Sequence, residues 1–277
     1  MWQPRRVQEK AALPTATGPA SSGGDPAAGS PPFSRGLRLA GAAVHLYTAS
    51  GSVLALLIVL AALEGDAVTA LWLGLVTLFI DGTDGMLARR MRVKETIPWF
   101  DGARMDDIVD YLTYVFAPVV LLWTTDRLPG GVLGWVLAAL PLLASCYQFC
   151  RVDAKTDDHY FLGFPSYWNV VAFYVIVLDI GPTGTAVTLA VLTVMVFVPV
   201  KYVYPSRTRV MRSLNLTVAA AWLASYALLL VQYPDPHPVA VVLSLALLGH
   251  YLGVSVWLTV AGHRRRTVSA DGVQRAG

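Results

Sequence analysis

From Ala40 onward the chain is a succession of apolar runs, each about 20 residues long and separated from the next by a short polar gap. A run of roughly 20 apolar residues is what a hydrocarbon core of about 30 Å requires of a spanning helix. Eight runs fit, at about 41–63, 67–91, 104–124, 131–150, 165–180, 184–204, 213–232 and 238–261. Lipid offers no water to unpaired backbone groups, so runs of this length are read as helices. Composition agrees: 55% of residues are hydrophobic and 14% charged, against about a quarter charged in soluble domains. Such a chain cannot clothe itself in polar surface, which excludes a soluble globular enzyme and a disordered protein. Two cysteines, Cys146 and Cys150, are too few for a disulfide framework or a four-cysteine zinc site. A net charge of +3 leaves no electrostatic footprint for nucleic acid. The expected fold is an all-α integral membrane protein with about eight transmembrane helices.

The ends differ from the middle. Residues 1–35 are dominated by Pro, Ala, Gly, Ser and Thr and lack the apolar core of a signal peptide; they are expected to form a disordered cytoplasmic tail that is retained. Residues 36–262 form the membrane domain, and 263–277 a short basic tail. No internal repeat is visible. With the N-terminus inside, an eight-span parse puts 20 of the 21 Lys and Arg residues on the cytoplasmic side, leaving only Arg127 outside. So one-sided a count places both termini in the cytoplasm.

The chemistry gathers between Asp81 and Asp110, at the cytoplasmic ends of the second and third runs. Ionisable groups inside membrane helices are costly and mark pathways or sites. Asp81 and Asp84 are spaced i, i+3 on one helix, and Asp106 and Asp110 i, i+4 on the next, so each pair shares a face. A short connection makes the two helices antiparallel neighbours, and the pairs can converge. A single acid there would be an interfacial residue paired with Arg89 or Arg90. Two facing pairs, interleaved with the small residues Gly85, Ala88 and Gly102, point instead to a site. Clustered carboxylates need cations, and an all-oxygen ligand set selects Mg²⁺ or Mn²⁺, with Ca²⁺ as a further alternative. A pair of such ions suits a diphosphate undergoing displacement, with Arg89 placed to meet phosphate. Asp101 and Asp107 fall off both faces and are expected in solvated or capping roles.

The residues Asp81, Asp84, Gly85, Ala88, Arg89, Gly102, Asp106 and Asp110 occupy every fixed position of D-x-x-D-G-x-x-A-R followed by G-x-x-x-D-x-x-x-D. This stretch resembles the signature of the CDP-alcohol phosphatidyltransferases, whose six-helix core the first six runs would form. The spacer, residues 90–101, is longer than is usual in the family and is similar to that of the bacterial phosphatidylcholine synthase branch. The blocks AVHLYTASG ending at Gly51, FLGFPSYWN from Phe161 to Asn169, and YPSRT from Tyr204 to Thr208 resemble that branch as well.

The resemblance implies a condensation of CDP-diacylglycerol with choline, giving phosphatidylcholine and CMP, in a bacterial inner membrane with the site facing the cytoplasm. It also implies Mn²⁺ or Mg²⁺, two ions, on Asp81, Asp84, Asp106 and Asp110, with Asp110 as general base. Gly85, Ala88, Arg89 and Gly102 would contact the cytidine diphosphate, and Thr48 on the first helix would approach the nucleotide. Homodimerisation is suggested by family analogy. Choline, a quaternary ammonium ion, favours aromatic faces and carboxylates. Tyr167 and Trp168 are the leading candidates, among a wider set that includes Asp157, Asp158, Tyr160, Phe161, Phe164, Tyr202 and Tyr204. Serine, inositol phosphate or glycerol 3-phosphate remain as other acceptors. A transporter is a further alternative, though transporters place such acids near the bilayer midplane in repeated halves.

Overall fold

A computed structural model of the chain describes residues 33–154, 160–203, 208 and 211–274, with side chains described as far as Val260. Residues 1–32 of the expected tail 1–35, Lys155, Asp157, Asp158, Tyr204, Arg207, Arg209 and the side chains of Arg264 to Arg266 lie outside the described residues, as does most of the block YPSRT.

Among the described residues, five helices are long and apolar enough to cross a membrane: α1 (Arg35–Leu63), α2 (Ala67–Arg90), α6 (Gly131–Cys150), α9 (Arg212–Gln232) and the first part of α10 (Pro238–Gln274). They make the chain a multi-pass membrane protein. Large apolar side chains such as Leu46, Leu56, Phe79, Leu133, Val191 and Val242 stay exposed, as a lipid-facing surface requires. α1 and α2 are joined by a tight connection in which the Asp66 carboxylate caps α2 by accepting from the Thr69 N–H at 2.9 Å. A short helix, α3 (Val93–Thr96), carries the chain from α2 towards α4 (Gly102–Asp110).

The third expected span is not one regular helix. α4 passes into a π-helical segment, Tyr111–Phe116, and then α5 (Ala117–Thr124). Pro118 supplies the reason. Proline has no N–H and its ring crowds the carbonyl one turn back, so the turn ahead of it widens to i→i+5 bonding. The N–H of Ala117 accordingly donates to the Leu112 carbonyl.

The fifth and sixth spans are shorter than expected. α7 (Trp168–Val177) has 10 residues and α8 (Pro182–Phe197) has 16. The expectation that helix continues to residue 204 is corrected: Val198 is extended before Pro199, as residues preceding proline prefer. The chain then forms β2 (Lys201–Val203), antiparallel to β1 (Tyr160–Leu162) with Phe161 opposite Tyr202. α10 covers this ribbon, the Ser255 and Thr259 hydroxyls accepting from the N–H groups of Val203 and Lys201 at 3.1 and 2.8 Å. The fold is thus helical apart from this one two-stranded ribbon among the described residues.

Two apolar clusters hold the helices. Ile58, Leu71, Leu121, Phe173 and Leu229 join α1, α2, α5, α7 and α9; Val115, Leu122, Leu137, Trp168, Leu189 and Val196 join the π segment, α5, α6, α7 and α8. Lipid is as apolar as these side chains, so packing and polar contacts between helices carry the association. α9 and α10 are fastened to α7 by such contacts. Trp222 Nε1 donates to the Tyr174 hydroxyl at 2.8 Å, which bonds Ser244 at 2.8 Å, and Ser225 donates to Ser244 at 3.0 Å.

Candidate active site

The site is assembled where α2, α4 and α1 meet. Asp81, Asp84 and Asp106 each offer a carboxylate oxygen within 4.8 Å of the other two. The i, i+3 spacing on α2 and the reversal of direction through α3 bring these three side chains together. Asp84 is buried at 5% exposure; Asp81 and Asp106 are half-buried. Asp110 is not part of that closest group but lines the same cleft, of ≈ 220 Å³, together with Thr48, Thr77 and Thr113. The donor set is all oxygen and negatively charged, which fits a hard divalent cation and does not fit a soft or imidazole-seeking one.

Two hydroxyls fix the α2 carboxylates. Thr48 Oγ1 on α1 donates to Asp84 Oδ2 at 2.8 Å. The Tyr114 hydroxyl, in the π segment, donates to Asp81 Oδ2 at 2.5 Å. Both are charge-assisted bonds in a region of little water, where they are short and strong. Thr48, expected near the nucleotide, therefore reaches the site as a partner of Asp84. Tyr114 was not anticipated from the sequence. Its spacing of i+4 from Asp110 puts it on the site-facing side of the helix and is the signal that points to it.

Close approach of α1 depends on two missing side chains. A Cβ at Gly51 would stand 2.6 Å from Val109 Cγ1 of α4, and one at Gly102 would stand 2.6 Å from His45 Cε1. Gly102 thus packs beneath the His45 ring, which itself lies 4.5 Å from Phe100. Of the remaining residues of the signature, Gly85 and Ala88 are half-buried on α2 and Arg89 is exposed at its C-terminal end. Asp101 caps α4, accepting from the Arg104 N–H at 3.1 Å, as expected. Asp107, half-buried, lines a second cleft beside α6.

The two choline candidates separate. Trp168 has 0% exposure, packs edge-on to Phe164 and donates its indole N–H to Ser145 at 2.8 Å. It is a core residue and does not face the acid cleft. Tyr167 stands edge-on to Tyr114 with ring centroids 5.9 Å apart, one residue removed from Asp81.

The chain is similar to known proteins over most of its length. The family model described as CDP-alcohol phosphatidyltransferase matches residues 45–204. Among curated relatives, the phosphatidylcholine synthase of Legionella pneumophila is 41% identical over 236 residues, covering 83% of this chain and 92% of that protein. The phosphatidylcholine synthase of Pseudomonas aeruginosa is 41% identical over 215 residues, 77% of this chain and 90% of the other. That of Agrobacterium fabrum is 39% identical over 189 residues, 68% of this chain and 78% of the other.

Proposed function

This chain belongs to the CDP-alcohol phosphatidyltransferase family, and from that premise we propose that it condenses CDP-diacylglycerol with choline to give phosphatidylcholine and CMP. The observation that carries the reading is the convergence of Asp81, Asp84 and Asp106 within 4.8 Å, with Asp110 lining the same cleft. Relatives named phosphatidylcholine synthase along most of the chain support choline as the acceptor.

In this reading Asp81, Asp84 and Asp106 hold the metal, with Asp110 beside them. Mn²⁺ or Mg²⁺, two ions by the family pattern, supplies charge neutralisation for the diphosphate when bound. Asp110 takes the proton of the choline hydroxyl. The hydroxyl oxygen then forms the new bond to the phosphorus that carries diacylglycerol, and the bond from that phosphorus to the CMP oxygen breaks. A carboxylate at the membrane face suits this task because an alcohol is a poor nucleophile until its proton has a nearby acceptor. Thr48 and Tyr114 keep the α2 carboxylates oriented, so little rearrangement is needed on binding. Gly85, Ala88, Arg89 and Gly102 shape the cytidine diphosphate end, Arg89 meeting phosphate. Tyr167 backs Tyr114.

The one-sided distribution of Lys and Arg supports eight spans, both termini in the cytoplasm and a site open to that side of a bacterial inner membrane. CDP-diacylglycerol then enters from the bilayer, while choline and CMP exchange with the cytosol. The test is CMP release by the purified protein with CDP-diacylglycerol and Mn²⁺, offering choline, serine, inositol phosphate and glycerol 3-phosphate in parallel. Release with choline alone, abolished by EDTA, is the expected result. Release with a different acceptor refutes the choline assignment, and release that survives EDTA refutes the metal site.

A further inference from the structure

Four buried residues of the third span, Val109, Thr113, Ala117 and Leu121, recur at i, i+4, i+8 and i+12. The first two meet α1 at one point: a Cβ at Gly51 would stand 2.6 Å from Val109 Cγ1 and 3.9 Å from Thr113 Cγ2. The last two belong to the apolar cluster that contains Ile58, Ala61 and Ala62 of α1. α1 thus packs along the series, against α4, the π segment and α5 in turn. A regular α-helix does not permit this. At about 100° per residue, twelve residues complete three turns and overshoot by about 120°, so Leu121 would face away from the side that Val109 presents. One widened turn absorbs one residue and reduces the difference to about 20°. The turn closed by the Ala117 N–H and the Leu112 carbonyl does so.

The same rotation aims the acids. Asp106 and Asp110 stand about 60° and 100° around α4 from Val109, both to one side. Seating Val109 against Gly51 therefore turns both towards the cleft they share with Asp81 and Asp84. Without the widened turn one end of the span has to give. α5 is held by Ala117, Val119, Leu121 and Leu122, all buried, so α4 would rotate by about 100° and carry its acids out of the cleft. Pro118 stands next to the turn. In a regular helix its ring would crowd the Tyr114 carbonyl and leave that group without a donor. Pro141 has the same effect inside α6, yet α6 stays regular. The proline is decisive where packing also calls for one more residue.

We propose that Pro118 is a positioning residue for the metal site. By holding the turn from Leu112 to Ala117 in its widened form, it sets the rotation of α4 and keeps Asp106 and Asp110 opposite Asp81 and Asp84. It acts through the helix and not by contact with the ion. The inference rests on these acids holding Mn²⁺ and goes beyond that reading by naming what fixes their direction.

The test is a Mn²⁺ titration of the full chain in detergent, followed by electron paramagnetic resonance, with Tm measured on the same samples. Pro118→Ala frees the turn to become regular and lowers Mn²⁺ affinity about tenfold, while Tm stays near the wild-type value because a backbone donor is regained. Pro141→Ala, also buried, keeps wild-type affinity. Deleting exposed Phe116 from Pro118→Ala shortens the series to i, i+4, i+7 and i+11, which a regular helix holds within about 20°. That double variant regains Mn²⁺ affinity to within about twofold of the wild type. Unchanged affinity in Pro118→Ala, an equal loss in Pro141→Ala, or a loss that the Phe116 deletion does not restore each overturns the proposal. If Pro118→Ala fails to fold, the double variant decides: wild-type affinity upholds the argument from rotation, and lost affinity overturns it. A wild type that binds no Mn²⁺ overturns the metal reading itself.

Discussion

Replacing Tyr114 with Phe removes one oxygen atom from the protein and leaves the ring, its burial at 4% exposure and its edge-on contact with Tyr167 in place. What is lost is the donor to Asp81 Oδ2 at 2.5 Å. Hydrogen bonds to charged groups contribute about 1.5–3 kcal/mol. If that bond holds Asp81 in the orientation the ion requires, its loss lowers Mn²⁺ affinity roughly 10- to 100-fold, at about 1.4 kcal/mol per factor of ten. The assay is a Mn²⁺ titration of the detergent-purified protein by electron paramagnetic resonance, which counts free ion directly and needs no turnover. Tyr226→Phe serves as the matched control. Its hydroxyl is equally buried and donates to the Leu71 carbonyl at 3.1 Å on the same helix α2, remote from the acids in sequence. Tyr226→Phe is expected to keep wild-type Mn²⁺ affinity even where it lowers Tm. Equal Mn²⁺ affinity in Tyr114→Phe and wild type refutes the reasoning, and an equal loss in both variants attributes the effect to helix packing.

Thr48→Val, which removes the 2.8 Å donor to buried Asp84 while preserving volume, is expected to weaken Mn²⁺ binding by a similar factor of roughly 10 to 100 in the same titration. Asp110→Asn should abolish CMP release while CDP-diacylglycerol still binds, measured by equilibrium binding of the labelled lipid; turnover near the wild-type rate removes Asp110 from the base role. Gly51→Leu drives a side chain into Val109, whose Cγ1 is already 2.6 Å from where a Cβ would stand, and overpacking of this kind costs about 1–3 kcal/mol. Its Tm falls and CMP release falls with it; an unchanged Tm would show that α1 and α4 are not packed as described. Trp168→Phe should lower Tm through lost packing and the lost bond to Ser145, yet leave choline KM unaltered; a raised choline KM with unchanged Tm would return Trp168 to the ligand.

Sequence alone determined the membrane class and marked the acids of the candidate site. Runs of apolar residues long enough to span lipid are a one-dimensional property, and helices occur at each of the eight expected positions. The acid pairs were equally legible, because i, i+3 and i, i+4 spacings fix a shared face wherever a helix forms. Tertiary structure decided which faces meet. A helix apolar all round carries no stripe that says which side turns to a neighbour and which to lipid. Trp168 therefore read as a candidate for choline until packing against Phe164 and Ser145 placed it in the core. The partners of the acids are long-range as well: Thr48 and Asp84 are 36 residues apart, and Tyr114 and Asp81 are 33. Local signals at Pro118 and Pro199 were present in the sequence, but their outcome depended on the fold. One proline is absorbed by a π turn inside a helix, and the other ends a helix because a second strand and the hydroxyls of α10 satisfy the backbone it frees.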